Sequence, residues 1–223
     1  MRKTIFANGE HYHVFNRGVD KRDIFSDTQD YDRFLLSMKL LNYTNDGLMI
    51  EWRDYIKSNP TSSLDAFLKL RFRNGAPLIE IVAYCLNPNH YHFILKQVSD
   101  RGIEKFLHKI GISHTKYYND KHKRSGSLFQ GVFKSAHIDS NEYLLYLSAY
   151  VNKNNYIHGY SDDDNWEYSS LPNYIGKRSD NLVTKNIILD HFKSIEDYDA
   201  FLNENAEYFK DKKELRKYTI EED

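Results

Sequence analysis

His90 and His92 flank Tyr91 in an apolar stretch that follows an Asn-Pro-Asn turn. Because side chains alternate across a β-strand, both imidazoles would project from one face, where two ligands can converge on a metal ion. Histidines that merely line a half-buried face give the same pattern, and His11 and His13 repeat it near the start of the chain. The tight turn and the strongly apolar strand around the second pair, which should lie centrally in a sheet, favour the metal site there.

Basic and aromatic side chains lie together in the segment from Lys121 to Lys134. Basic groups can hold phosphates while aromatic rings stack on bases, so this segment is a candidate nucleic-acid contact. A solvated basic turn beside ordinary strand aromatics is the alternative interpretation. Arg17, in the first turn of the chain, is a weaker candidate. The candidates in the segment are Lys121, Lys123, Arg124, Gln130 and Lys134, with Phe129 and Phe133 interleaved.

Composition restricts the chemistry. Cys85 is the only cysteine, which excludes an intrachain disulfide and a cysteine-based zinc cluster, so a metal would need histidine and oxygen ligands. Residues 1–160 carry 22 Lys and Arg against 16 Asp and Glu, whereas residues 161–223 carry 9 against 16. This distribution suits a core that meets a polyanion, followed by an acidic tail. No apolar run approaches the roughly 20 residues of a membrane span, which predicts a cytoplasmic protein, in a prokaryotic cytosol or nucleoid.

Hydrophobic periodicity predicts elements in the order β-α-β-β-α-β-α. The last helix of this series should begin at Asp139, where Asp139-Ser140-Asn141-Glu142 is typical of a capping box. Residues 44–77 are expected to be an insertion that contains a helix over 63–71. The other predicted strands cover 10–15, 79–86, 91–98 and 128–138, and the other predicted helices cover 30–43, 102–118, 181–192 and 195–217.

The first six elements match an α+β fold of the ferredoxin-like, split βαβ type, in which an antiparallel sheet carries helices on one face. We therefore predict a core domain over residues 1–160 and an acidic, mostly helical C-terminal extension over residues 161–223. The fold by itself assigns no function, because many unrelated activities share it.

Four segments resemble one known family. N-P-N-H-Y-H-F-I-L at 87–95 resembles the His-hydrophobic-His signature of HUH single-tyrosine transposases, and specifically that of REP-associated tyrosine transposases. The resemblance extends over residues 10 to about 175. Its other segments are H-Y-H-V-F-N-R-G at 11–18, R-S-G-S-L-F-Q-G-V-F-K-S at 124–135 and L-L-Y-L-S-A-Y-V-N-K-N-N at 144–155.

The resemblance implies roles for individual residues. The nucleophilic tyrosine of such proteins opens a Tyr-x-x-x-Asn segment, which falls here on Tyr150 and Asn154, two positions that share a helix face. Asn154 would then complete a site for Mg²⁺ or Mn²⁺ with His90 and His92, and the metal would act as a Lewis acid on a phosphate. The chain departs from the family at Asn155, where the family often has proline.

The implied reaction is cleavage and rejoining of single-stranded DNA through a covalent 5'-phosphotyrosine. Cleavage would leave a free 3'-hydroxyl, and because the phosphodiester energy is conserved, rejoining would need no ATP. The expected partner is single-stranded or hairpin DNA, with no membrane. The resemblance is compatible with either a homodimer or a monomer.

Two other functions fit parts of the pattern. A non-catalytic module could bind single-stranded nucleic acid through aromatics on a ferredoxin-like sheet, and it would bind without metal dependence. A metal-dependent hydrolase could use the histidine pair to activate water, with Tyr150 structural. Such a hydrolase would turn over without a protein–DNA adduct.

Overall fold

Four antiparallel strands form a sheet in the computed structural model, which describes residues 4–71, 77–161 and 166–211. The strand order is β2-β3-β1-β4, the order expected of a ferredoxin-like sheet. The α+β class and the antiparallel sheet are therefore confirmed. The strands are β1 His11–Arg17, β2 Ile79–Asn87, β3 His90–Gln97 and β4 Lys134–Ile138.

Helices cover both faces of the sheet, whereas the sequence predicted them on one face. The helices are α1 Thr28–Leu40, α2 Leu48–Ser58, α3 Leu64–Arg71, α4 Gly102–Lys121, α5 Asn141–Asn152, α6 Asn154–Ile157, α7 Leu171–Tyr174, α8 Asn186–Leu189 and α9 Ile195–Asp211. The apolar sides of α1 and α4 pack on one face, against Tyr91, Phe93 and Leu95 of β3. On the opposite face, α5, which follows the six elements of the ferredoxin-like unit, packs against Ile94 and β2, and α9 packs against α5. The alternation along β3 thus separates two cores.

The β2-β3 hairpin agrees with its prediction and sets the register of the central strands. Asn87 pairs with His90 and Cys85 pairs with His92 across the two-residue connection Pro88-Asn89. β3 also pairs with β1, where His92 lies opposite Phe15. His90 and His92 therefore belong to the central part of the sheet and face α5.

Three predicted elements need correction. The strand predicted over 128–138 is regular only from Lys134, because Gly126 and Gly131 have positive φ and the chain loops before it joins β1. The cap of α5 is Ser140, whose hydroxyl accepts from the Tyr143 backbone N–H, rather than Asp139. The helix predicted over 181–192 is reduced to α8, because residues before it run beside β2, where the Thr184 N–H donates to the Ile81 carbonyl.

The segments outside the sheet follow the prediction in outline. α2 and α3 lie within the predicted insertion and enclose a small core with Leu40, Leu48 and Phe67. Residues 72–76 of that insertion, and residues 212–217 of the last predicted helix, lie outside the described residues. Over the part of the chain that the model describes, no helix combines the length and apolarity needed to cross a bilayer.

His114 of α4 is buried against Phe25 and Phe34, and its Nε2 lies 2.7 Å from the Ile24 carbonyl oxygen. Burial lowers the pKa of His114 from 6.5 to about 4, although the bond to Ile24 opposes the shift. Because the folded pKa lies below the unfolded one, protons favour the unfolded chain. Burial of the neutral ring therefore contributes its full share to the free energy of unfolding above about pH 6.5. This contribution decreases as the pH falls towards 4, by roughly 3 kcal/mol at most.

We expect His114→Gln to flatten this loss of stability, since a neutral amide can donate to Ile24 without titrating. Urea unfolding at intervals between pH 7 and pH 4 measures the effect as the slope of the unfolding free energy against pH. The matched control is His108→Gln, an exposed histidine on the same helix, which should keep the wild-type slope. Equal slopes for all three chains would contradict the assignment to His114.

Candidate active site

A pocket of about 330 Å³ opens where β1, the β2-β3 turn and the loop before β4 meet. Among the residues that the structure describes, three basic side chains and several neutral polar ones line it, and no carboxylate does. Such a lining favours an anionic ligand. The residues that line the pocket are Phe15, Asn16, Arg17, Lys21, Asn89, His90, His92, Gln130, Lys134, His158 and Tyr160.

Two of the predicted metal ligands, His90 and His92, line this pocket, and the third, Asn154, is buried next to His90. His90 Nε2 lies 3.1 Å from Asn154 Oδ1, and the rings of His90 and His92 are perpendicular with centroids 5.2 Å apart. Asn154 is fully buried, and its Nδ2 has no hydrogen-bond partner among the described residues. The fold thus brings together His90, His92 and Asn154, the set expected from the sequence.

Asn89 and Tyr160 hold the His90 ring. Asn89 Nδ2 donates to the Lys21 carbonyl at 3.1 Å, which leaves Asn89 Oδ1 to accept from Tyr160 OH at 2.9 Å and from His90 Nδ1 at 2.6 Å. His90 therefore carries its proton on Nδ1 and presents the Nε2 lone pair. Such a contact fixes the tautomer of a metal-binding histidine. The His158 ring, 4.9 Å from the His90 ring, packs beside it.

His13 holds His92 in a similar way. His13 Nε2 lies 2.9 Å from His92 Nδ1, and the two rings are stacked with centroids 5.1 Å apart. When His92 Nδ1 donates to His13, the His92 Nε2 lone pair is available for a ligand. The first His-x-His pair thus contributes a supporting residue to the second, a role that its pattern alone does not indicate.

Tyr150 lies next to the predicted metal ligand His92 but does not line the pocket. It is fully buried, and its ring meets the His92 ring edge-on at 5.4 Å and the Phe209 ring of α9 at 5.2 Å. The helix does not continue unbroken to Asn154, because α5 ends at Asn152. The Lys153 N–H still bonds to the Ala149 carbonyl at 3.0 Å, so Asn154 follows Tyr150 by about one turn.

The predicted DNA ligands divide into two groups. Arg17, Gln130 and Lys134 line the pocket, where Arg17 Nε donates to Gln130 Oε1. Lys121 is the last residue of α4, Lys123 and Arg124 follow the helix, and these three do not line the pocket. Arg124 Nη2 donates to the Ser127 carbonyl.

Lys121 is engaged in ion pairs, with its Nζ 2.7 Å from Asp27 Oδ1 and 2.6 Å from the buried Asp30 Oδ1. Desolvation lowers the pKa of Lys121, but the hydrogen bonds to Asp27 and Asp30 outweigh it and raise the pKa overall. The ammonium is therefore charged at neutral pH, and these two carboxylates neutralise it. The two ion pairs make it a poor phosphate ligand.

The donor set fits a hard divalent cation. Atoms at adjacent corners of an octahedron around Mg²⁺ are about 3.0 Å apart when each metal–ligand distance is about 2.1 Å, close to the His90–Asn154 separation of 3.1 Å. Within the described ranges, no group of three or more His, Cys, Asp and Glu side chains could hold a metal. A cation at this site would therefore depend on the two imidazoles and on amide oxygen.

Comparison with known protein families gives one match. Residues 73–154 match the family model described as "Transposase IS200 like". The matched segment contains His90, His92, Tyr150 and Asn154, and it confirms the family resemblance seen in the sequence. No curated protein that was compared matches the chain significantly.

The fold has a solved counterpart. The structure described as "Structure of the REP associates tyrosine transposase bound to a REP hairpin" superposes with a TM-score of 0.54 and 13% sequence identity. The superposition covers 83% of this chain and 97% of that chain. At this identity the similarity concerns the fold alone.

Proposed function

We propose that this chain, an enzyme of the IS200-like transposase family by its residues 73–154, cuts and rejoins single-stranded DNA through a phosphotyrosine at Tyr150. The observation that carries the proposal is the convergence of His90 Nε2 and Asn154 Oδ1, which lie 3.1 Å apart beside a basic pocket. His92, which also lines that pocket, has its ring centroid 5.4 Å from that of Tyr150. The substrate is single-stranded DNA beside a hairpin, by analogy with the hairpin-bound counterpart of this fold.

In the proposed reaction, the phenol oxygen of Tyr150 attacks the phosphorus of one phosphodiester. A Tyr–O–P bond forms and the bond from phosphorus to the 3'-oxygen breaks, while the phenol proton is lost and the departing oxygen gains a proton. The products are a 5'-phosphotyrosine and a free 3'-hydroxyl. Since the number of phosphodiester bonds is unchanged, attack by a 3'-hydroxyl reverses the step.

The other side chains position the phosphate. Arg17 and Lys134 supply positive charge to its non-bridging oxygens, and the bond from Arg17 to Gln130 orients the guanidinium. His90, His92 and Asn154 would hold Mg²⁺ or Mn²⁺, which when bound would supply Lewis-acid polarisation of the scissile phosphate. Asn89 and Tyr160 keep His90 in the tautomer that this role needs, and His13 does the same for His92 when His92 Nδ1 is the donor of their hydrogen bond.

A second candidate function is DNA binding without cleavage. The observation in its favour is the complete burial of Tyr150, which packs against Phe209 of α9 and does not line the pocket. Under this alternative the basic pocket binds a strand, and neither the metal ligands nor Tyr150 takes part in chemistry.

One assay distinguishes the two functions. The full chain is incubated with end-labelled, hairpin-flanked single-stranded DNA pools and Mn²⁺, and the products are separated on a denaturing gel. We expect a labelled species that survives denaturation, and we expect EDTA to prevent its formation. Retention of DNA on a native gel, with no adduct at any Mn²⁺ concentration, would favour binding without cleavage.

A further inference from the structure

Asn87 is the last residue of β2, and the proposed reaction does not use its side chain. It is fully buried and lies directly opposite His90 in the hairpin register. Its side chain faces the metal ligands rather than the protein surface, because residues 85 and 87 of β2 and residues 90 and 92 of β3 share one face of the sheet. The position of Asn87 therefore follows from the tight turn that also places His90.

The side chain of Asn87 completes a triangle of polar atoms. Asn87 Nδ2 lies 2.6 Å from Asn154 Oδ1 and 3.0 Å from His90 Nε2, and the latter two atoms are 3.1 Å apart. A triangular face of an octahedron around Mg²⁺ has edges of about 3.0 Å. The three atoms thus have the spacing of three ligands on one face of a coordinated cation.

The amide of Asn87 now presents N–H groups to the atoms that would bind the cation. Its Oδ1 points the other way, towards the Cys85 thiol at 3.6 Å, a weak contact. Rotation of the amide by half a turn exchanges Nδ2 and Oδ1 with almost no change of shape. The rotation would remove the hydrogen bonds that Asn87 Nδ2 donates to His90 Nε2 and Asn154 Oδ1. A bound cation would replace these hydrogen bonds, because both atoms could then coordinate it.

Two observations favour amide ligation. No group of three or more His, Cys, Asp and Glu side chains among the described residues could hold a metal, so amide oxygens are the ligands that would complete a site built on His90 and His92. Asn154 Nδ2 is buried without a hydrogen-bond partner among those residues, so its side chain is not fully satisfied by hydrogen bonds alone. A site with two imidazoles and two amide oxygens has oxygen donors suited to Mg²⁺ or Mn²⁺.

We propose that Asn87 is a fourth protein ligand of the divalent cation, through Oδ1, together with His90, His92 and Asn154. This inference rests on the metal site of the proposed function and extends it by one ligand. Because all four protein ligands are neutral, the cation keeps its full positive charge when a phosphate approaches.

The test measures Mn²⁺ uptake by the full chain without DNA, from the electron paramagnetic resonance signal of free Mn²⁺. Asn87→Leu, which keeps the approximate volume and loses the oxygen, should weaken Mn²⁺ binding about tenfold or more. Asn87→Asp, which adds a formal charge to the ligand set, should tighten it about tenfold. Asn152→Asp is the matched control, because Asn152 is equally buried but bonds to Tyr198 and Ser170, and its Mn²⁺ affinity should not change.

A measurement on the unaltered chain removes any dependence on how the variants fold. Mg²⁺ should shift the side-chain amide resonances of Asn87 and Asn154 in a nitrogen-15 spectrum and leave those of Asn152 in place. An unshifted Asn87 amide, or wild-type affinity in Asn87→Leu, would overturn the ligand assignment while the Tyr150 reaction stands. If the wild-type chain takes up no Mn²⁺, the metal site itself fails, and Asn87 ligation fails with it.

Discussion

Tyr150→Phe should form no covalent adduct with DNA, a loss of at least about a thousandfold in the rate of strand cleavage. The substitution removes one oxygen atom and keeps the ring that packs against His92 and Phe209. Fold, metal site and basic pocket should therefore persist, and only the nucleophile is lost. The measurement is the denaturing gel with labelled hairpin-flanked DNA and Mn²⁺, read beside a native gel of the same samples.

Two neighbouring tyrosines serve as controls for this substitution. Tyr143 and Tyr146 lie on the same helix, α5, and are only partly buried. Tyr143→Phe and Tyr146→Phe should form the adduct at the wild-type rate. If Tyr150→Phe still forms an adduct, another residue is the nucleophile; if it still cleaves without an adduct, the metal-activated water of a hydrolase accounts for the products.

The hairpin that carries His90 and His92 could be predicted because its signals are local. Alternating apolar residues on both sides of Asn87-Pro88-Asn89 indicate two strands and a tight turn, and the period of two then places both imidazoles on one face. The same local register could have shown that Asn87 lies beside His90. Asn89 also belongs to the motif, but its hydrogen bond to Tyr160 joins residues that are far apart in the sequence.

Contacts between distant segments could not be predicted from periodicity. The pairing of His13 with His92 depends on the register between β1 and β3, which no short pattern specifies. The apolar side of α9 was visible in the sequence, but an apolar side does not reveal what it covers. The boundary at residue 160 and the choice between homodimer and monomer stay predictions, although residues after 160 such as Leu171 and Leu202 pack in the same core as Tyr150.

The position of α9 has a direct consequence for the proposed reaction. Phe209 packs edge-on against Tyr150 and lies 4.7 Å from the Tyr146 ring, while Tyr198 of the same helix accepts from Asn152 Nδ2. Near the end of α9, Glu207 accepts a hydrogen bond from Tyr156 of α6, and Lys210 lies over the Tyr156 ring. Because these contacts bury the phenol completely, Tyr150 can reach a phosphate in the pocket only when α9 or α5 moves.

Phe209→Ala should therefore raise the rate of adduct formation, by about tenfold or more, since loss of a buried phenylalanine weakens helix docking by several kcal/mol and each 1.4 kcal/mol is a factor of ten. The measurement is the initial rate of adduct formation at saturating Mn²⁺ and DNA, with hydrogen exchange of α9 as the independent readout of its release. Tyr208→Ala changes the adjacent, exposed residue and should leave the rate unchanged. Phe209→Ala combined with Tyr150→Phe should form no adduct, because the gain must come through Tyr150. Faster exchange of α9 without faster adduct formation would show that α9 does not limit access, and the movement that frees Tyr150 would then lie in α5.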